Sequence, residues 1–344
     1  AFATFTLQND APLLSQIMAG LRSFDVVNAS WHNDSLYNQL LAGTGDNAAA
    51  PEAVEMRAQL AAIRQAVDEG RGGLGSIIVM ATGNDFDDLY YNDNGTVRRL
   101  YIDNRMLQEE GTIAIDFERS GLLGADGLPR VTLEEILAGQ MTAAEASTGT
   151  DLRVAARETI AVGGYTQRIE LADGTVFESQ VAPYVSRGPA LLVSALTRIN
   201  QPLTDVLSDN SLYPGLGGAG GIFASHLMNY HDGLVSTDVT TEPGFGWDDN
   251  SPGMPGYTNN FGGTSGAAPQ VTGTVALMLE ANATLGWRDV QNILALSAHH
   301  VGSPVGAPDP ARVAEQFEWL INGAANWNNG GMHFSGDYGY GAVD

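Results

Sequence analysis

Apolar positions along the first 84 residues switch between the period of a strand and the period of a helix. Phe2-Ala3-Thr4-Phe5-Thr6-Leu7 is a short apolar strand candidate. Leu13, Leu14, Ile17 and Leu21 then recur at helical spacing, with Asp10 placed to cap and Pro12 near the first turn. Asp25-Val26-Val27-Asn28-Ala29-Ser30-Trp31 predicts a second strand. Pro51 opens a long helix carrying Val54, Leu60, Ile63 and Val67, which stops at Gly70. Ser76-Ile77-Ile78-Val79-Met80-Ala81 is continuously apolar, as a central parallel strand covered on both faces must be. Alternating strands and helices predict βαβ units and a doubly wound, mostly parallel α/β sheet with helices on both faces. Sites in such sheets form beyond the carboxyl ends of the strands, where the loop Thr82-Gly83-Asn84-Asp85 falls.

The rhythm breaks twice, at about 85–151 and at 199–258, and both stretches are expected to be insertions on the scaffold. The first holds an acidic, Asn-rich run (Asp85, Asp87, Asp88, Asn92, Asp93, Asn94), then Thr132-Leu133-Glu134-Glu135, a capping-box start for a helix to about Ala146. The second is rich in Gly, Asn, Asp and Pro and reads as a long surface excursion. Strands are predicted between them at Thr159-Ile160-Ala161-Val162 and Ala190-Leu191-Leu192-Val193. After the second break, small residues crowd around one serine in Gly262-Gly263-Thr264-Ser265-Gly266-Ala267-Ala268-Pro269. An apolar helix follows through Val271, Val275, Leu277, Met278 and Leu279, and another through Val290, Ile293 and Leu294. A serine at a helix N-terminus is exposed, meets the positive end of the macrodipole and tolerates close approach by a substrate. A glycine-rich turn that merely caps a core helix carries the same local signature.

Composition narrows the partners. Of 344 residues 44% are hydrophobic and 16% charged, which is globular and not disordered. A net charge of -24 argues against nucleic acid and anionic membranes, and suits a secreted, calcium-rich or salty setting. The absence of cysteine excludes disulfides and leaves the redox compartment open. No apolar run approaches the roughly 18 residues of a membrane span, and no signal peptide is visible.

Three stretches converge on one family. Gly262 to Pro269, continuing through Leu277-Met278-Leu279-Glu280-Ala281-Asn282 to Trp287-Arg288-Asp289-Val290-Gln291, resembles the nucleophile segment of subtilisin-like serine peptidases. Its likeness is greatest to the kexin/furin branch and its bacterial secreted relatives. Gly70-Arg71-Gly72-Gly73-Leu74-Gly75-Ser76-Ile77, leading into Ala81-Thr82-Gly83-Asn84, resembles that branch's oxyanion-asparagine segment. Asn322-Gly323, His333-Phe334-Ser335 and Tyr338-Gly339-Tyr340-Gly341 resemble the end of its catalytic domain. The matches run in family order from end to end.

The resemblance implies a serine endopeptidase acting through an acyl-enzyme, with Ser265 as nucleophile and Asn84 as oxyanion donor. It implies substrate walls at Ser30, Trp31 and His32 and at Ala81, Thr82 and Gly83, and protein or peptide substrates. It further implies a secreted, bacterial setting and a downstream P-like or calcium-binding domain in the full protein. Asp34 and Asp88 are the candidate calcium ligands; a solvated acidic loop is the alternative for the aspartates from 85 to 93. The family's base is missing: its Asp-His-Ser order places a His-Gly-Thr motif before Ser30-Trp31, and no His-Gly pair occurs in this sequence. His32, His226, His231, His299, His300 and His333 are each expected in surface or loop roles. Residues 1–344 are therefore expected to form a partial catalytic domain whose first part lies upstream. In subtilisin itself, loss of the base costs about 10⁶ in turnover, so the chain alone is expected to be inactive. A catalytically dead subtilase-fold binding module is the alternative, and a non-peptidase hydrolase that reuses Ser265 is a third. Where the family carries a glutamate near the first pocket stands Arg187, expected to repel calcium and basic substrate groups.

Overall fold

The structure is a computed structural model that describes residues 18–31, 51–84, 89–93, 96–100, 122–124, 126–132, 140–141, 148, 151–170, 176–182, 184–197, 234–237, 257–310, 312, 314–321 and 332–344. In chain order its elements are β1 (Val26–Ala29), α1 (Pro51–Glu69), β2 (Ile77–Ala81), β3 (Leu89–Asp93), β4 (Thr96–Leu100), β5 (Gln140–Met141), β6 (Thr159–Tyr165), β7 (Ile169–Glu170) and β8 (Val176–Phe177). There follow β9 (Leu191–Leu196), β10 (Leu234–Thr237), β11 (Tyr257–Phe261), α2 (Thr264–Ala281), α3 (Trp287–Ser297), β12 (Leu320–Ile321) and β13 (His333–Phe334).

A four-stranded sheet in the order β1-β2-β6-β9 carries the site, with every neighbouring pair parallel. Its two-sided burial follows from the strand period of two. Ile77, Val79 and Ala81 of β2 face one core with Ala267, Ala268, Val271 and Val275 of α2 and Val290 and Leu294 of α3. Ile78 and Met80 face a second core with Ile63, Ala66 and Val67 of α1. Residues 160–162 repeat the split, with Ile160 and Val162 on the α2 side and Ala161 on the α1 side. Each fully buried Val or Ile here contributes about 1.5–3 kcal/mol of apolar burial, which orients both helices. The predicted α/β sheet with helices on both faces is the observed one.

Between α1 and β2 the turn from Gly70 to Gly75 is unusual in placing a non-glycine residue, Arg71, at φ 51°. The guanidinium offsets the strain of that left-handed backbone: it donates to the carbonyls of Gly75 (3.2 Å), Leu285 (2.9 Å) and Ala283 (2.9 Å). The turn is thereby tied to the exit of α2.

Local reading fails in the first break. Gln140–Met141 is a strand and not part of a helix reaching Ala146, because it pairs antiparallel with Tyr90 and Tyr91 of β3. Sheet pairing with a partner some fifty residues away overrides the local helical pattern. β3, β4 and β5 form a small antiparallel sheet apart from the main one. In the second break β10 and β11 form an antiparallel ribbon that leads into α2. The strand and cap expected at Phe2–Leu7 and Asp10 lie outside the described residues.

Candidate active site

The loop between β11 and α2 turns at Gly263, whose φ of 75° and ψ of 172° suit only glycine. A side chain there would also press on Asn84, since a Cβ would lie 3.2 Å from its amide nitrogen. α2 then starts at Thr264, and Ser265 is its second residue, among the N–H groups that a helix leaves unpaired.

Asn84 reaches this helix start from the end of β2. Its Oδ1 accepts the Thr264 N–H at 2.8 Å and the Thr264 hydroxyl at 3.1 Å. The same hydroxyl accepts the Gly83 N–H at 3.2 Å. With the amide oxygen saturated, the orientation of the amide is set by chemistry: the NH₂ remains as the donor, beside Gly263 and without a partner among the described residues.

Ser265 is locked to the other strand end. Pro269 has no N–H, so the Ser265 carbonyl, four residues back, loses its helical partner. The Ser30 hydroxyl supplies one at 3.1 Å, and the Ser265 hydroxyl donates in return to the Ser30 carbonyl at 3.3 Å. Behind the turn, Thr197 donates to the Gly263 carbonyl at 2.8 Å, which leaves its oxygen to accept from Tyr184 at 2.9 Å. Thr264, Thr197, Tyr184 and Pro269 went unassigned in sequence. Thr264 and Pro269 sit inside the serine motif and were readable; Thr197 and Tyr184 carry no local signal.

The remaining expected site residues divide. Ala81 is buried in the α2 core, and Gly83, at φ 107°, bridges it to Asn84. Thr82 is buried, and its hydroxyl has no hydrogen-bond partner among the described residues. Trp31 follows β1, and its ring lies 4.7 Å from the Arg153 guanidinium. Arg153 is fully buried and held by two bonds to the Asp151 carboxylate, 3.0 and 2.7 Å, and one to Gln59, 3.1 Å. His32, Asp34 and Asp88 lie outside the described residues, as do His226 and His231. Among the described residues no group of three His, Asp or Glu side chains is placed to hold a metal ion.

Three histidines are described, and each is engaged near the tail. His299 pairs with Asp344 at 3.1 Å. His300 and His333 pack around Trp319, at ring separations of 4.7 and 4.9 Å. Partial burial, and then the neighbouring His333, lower the His300 pKa. Among the described residues no histidine is hydrogen-bonded to Ser265.

Arg187 departs from expectation. It is 2% exposed and pairs with the fully buried Asp337 at 3.1 Å, so its charge is compensated inside the fold and not presented to a pocket. Burial raises the Asp337 carboxyl above its ordinary range, while the Arg187 guanidinium and the N–H groups of Phe317 and Gln316 pull it down.

The sequence profile of the Subtilase family (peptidase S8) matches residues 11–341. The chain belongs to the subtilase family. This subtilase is 39% identical over 121 residues to a PC3-like endoprotease variant B of Hydra vulgaris, covering 35% of its own length and 13% of the relative's. It is 39% identical over 87 residues to the human proprotein convertase subtilisin/kexin type 6, covering 25% of its own length and 7% of the relative's. The chain thus spans a small fraction of the relatives it matches. A serine protease of Aeromonas sobria aligns with 94% of this subtilase and 42% of its own chain, at 17% identity and a TM-score of 0.49. No helix of the described residues is long and apolar enough to cross a membrane.

Proposed function

We propose that this subtilase is a serine endopeptidase in which Ser265 attacks the scissile carbonyl and Asn84 stabilises the resulting oxyanion. The observation that carries the reading is the tether of Asn84 Oδ1 to the Thr264 N–H at 2.8 Å, which leaves the amide NH₂ as a donor beside the helix start. The unpaired Ser265 N–H at the N-terminus of α2 is the second donor, reinforced by the helix dipole. Both are preorganised, so little reorganisation accompanies the charge as it develops. Before attack, the Ser265 hydroxyl leaves the Ser30 carbonyl and passes its proton to a base.

The engagement of His299, His300 and His333 near the tail argues against any of them as that base. The 344-residue chain alone is accordingly expected to be almost inactive. Ser30 to His32 and Ala81 to Gly83 would form two walls around an extended peptide. Asp34 and Asp88 would offer oxygen ligands to calcium, and a secreted bacterial setting suits the acidic charge. The missing His-Gly pair favours one second reading, a catalytically silent binding module on the same fold. Peptide cleavage by the full-length protein and by its Ser265→Ala variant separates the two. Hydrolysis that disappears with the hydroxyl supports the peptidase; equal hydrolysis by both proteins would refute Ser265 as nucleophile.

A further inference from the structure

Gly83 sits at φ 107°, in a region where glycine has little preference of its own. The peptide group joining Gly83 to Asn84 is therefore oriented by its hydrogen bonds and not by backbone sterics. The preceding peptide group is anchored through the Gly83 N–H, which Thr264 holds. In the Gly83–Asn84 group itself, the Gly83 carbonyl accepts the Ser186 N–H at 3.0 Å. Whatever fixes Ser186 thus fixes the plane from which the Asn84 amide projects.

Next to Ser186 is the buried arginine. Besides Asp337, the Arg187 guanidinium donates to the Ala314 carbonyl at 2.6 Å and to the Val185 carbonyl at 3.3 Å. The second oxygen of Asp337 accepts the N–H groups of Gln316 at 2.8 Å and Phe317 at 2.9 Å. The Asp337 N–H in turn is held by the Ser335 hydroxyl at 3.1 Å, and the Gly188 N–H by the Gly336 carbonyl at 2.9 Å. An ion pair with this many fixed partners is a rigid joint between residues 314–317 and 335–337 on one side and the loop 184–188 on the other. Both charges are out of water, so neither can drift to a solvated alternative without a large penalty.

We infer that Arg187 and Asp337 are positioning residues for the oxyanion donor: their buried pair holds Ser186 against the Gly83 carbonyl and so aims the Asn84 amide. The inference rests on Asn84 as the oxyanion donor. Asn84 is met by the transition state more strongly than by the bound substrate, so a misaimed amide lowers kcat and leaves KM almost unchanged.

The test is a double-mutant cycle in the full-length protein, read as kcat and KM on a peptide substrate. Arg187→Met alone strands a buried carboxylate and endangers folding, so the informative variant is Arg187→Met/Asp337→Leu, which leaves no buried charge unpaired. Its expected kcat is about tenfold below the parent with KM within twofold, whereas the same pair added to Asn84→Ala lowers kcat less than twofold further. Arg187→Lys keeps a charge facing Asp337 and should recover most of the loss. Equal losses in the parent and in Asn84→Ala would show a merely structural pair and overturn the inference, as would an unchanged kcat. If Asn84→Ala itself leaves kcat unchanged, the reading of Asn84 fails first and the inference falls with it, a distinct result.

Discussion

The bond between Ser30 and the Ser265 carbonyl exists because Pro269 removed the helical one, and this can be measured. Ser30→Ala deletes the 3.1 Å donor and leaves a partly buried carbonyl without its protein partner. Full burial of an unpaired acceptor costs about 1–3 kcal/mol, and partial access to water brings this toward the lower end, about 1 kcal/mol. Ser30 also accepts from the Asn28 amide at 2.9 Å, but that contact is exposed and water replaces it. Pro269→Ala restores an N–H in line with the Ser265 carbonyl. On that background Ser30→Ala should cost no more than about 0.3 kcal/mol, giving a coupling near 0.7 kcal/mol between two residues far apart in sequence. Urea unfolding of the four proteins measures the cycle, since midpoints shift while slopes stay equal if only stability changes. An equal cost of Ser30→Ala with and without the proline would refute the account of how the two strand ends and the serine helix are joined.

Two further outcomes follow, one from a buried hydroxyl and one from a surface imidazole. Thr82→Val keeps the shape and removes a buried hydroxyl with no partner among the described residues, so it should stabilise the fold by about 1 kcal/mol; destabilisation of that size would show that the hydroxyl is bonded. His300 takes up its proton less readily folded than unfolded, where it titrates near 6.5. As pH falls below that value the unfolded chain binds the proton first, so stability declines until the lower folded pKa is passed. Glu315 opposes and Arg312 reinforces that lowering. Urea midpoints between pH 7.5 and 5 should fall less steeply in His300→Gln, and identical slopes would contradict the assignment.

Readability from the sequence depended on whether a residue's partners were near it. The run from Ser76 to Ala81 announced a strand buried on both faces, because α1 and α2 take alternate side chains of it. The turn at Gly263 and the helix that begins at Thr264 were legible locally, because a glycine marks the turn and an apolar run follows Ser265. The strand at Gln140–Met141 was not, since only Tyr90 and Tyr91 make it one. Arg187 misled for the same reason. Seen alone it is a free cation near a pocket; paired with Asp337, 150 positions away, it is an internal brace. The Tyr184–Thr197–Gly263 chain is likewise invisible until three separate segments meet.

The most direct test of the central claim is covalent. A fluorophosphonate probe reacts with a serine hydroxyl only when its proton is removed and the phosphoryl oxygen is stabilised as the oxyanion would be. Incubation of the full-length protein with the probe, followed by peptide mass spectrometry, should place the adduct on Ser265, with labelling much reduced in Asn84→Ala. An adduct on another residue, or peptide hydrolysis without labelling of Ser265, would contradict the account.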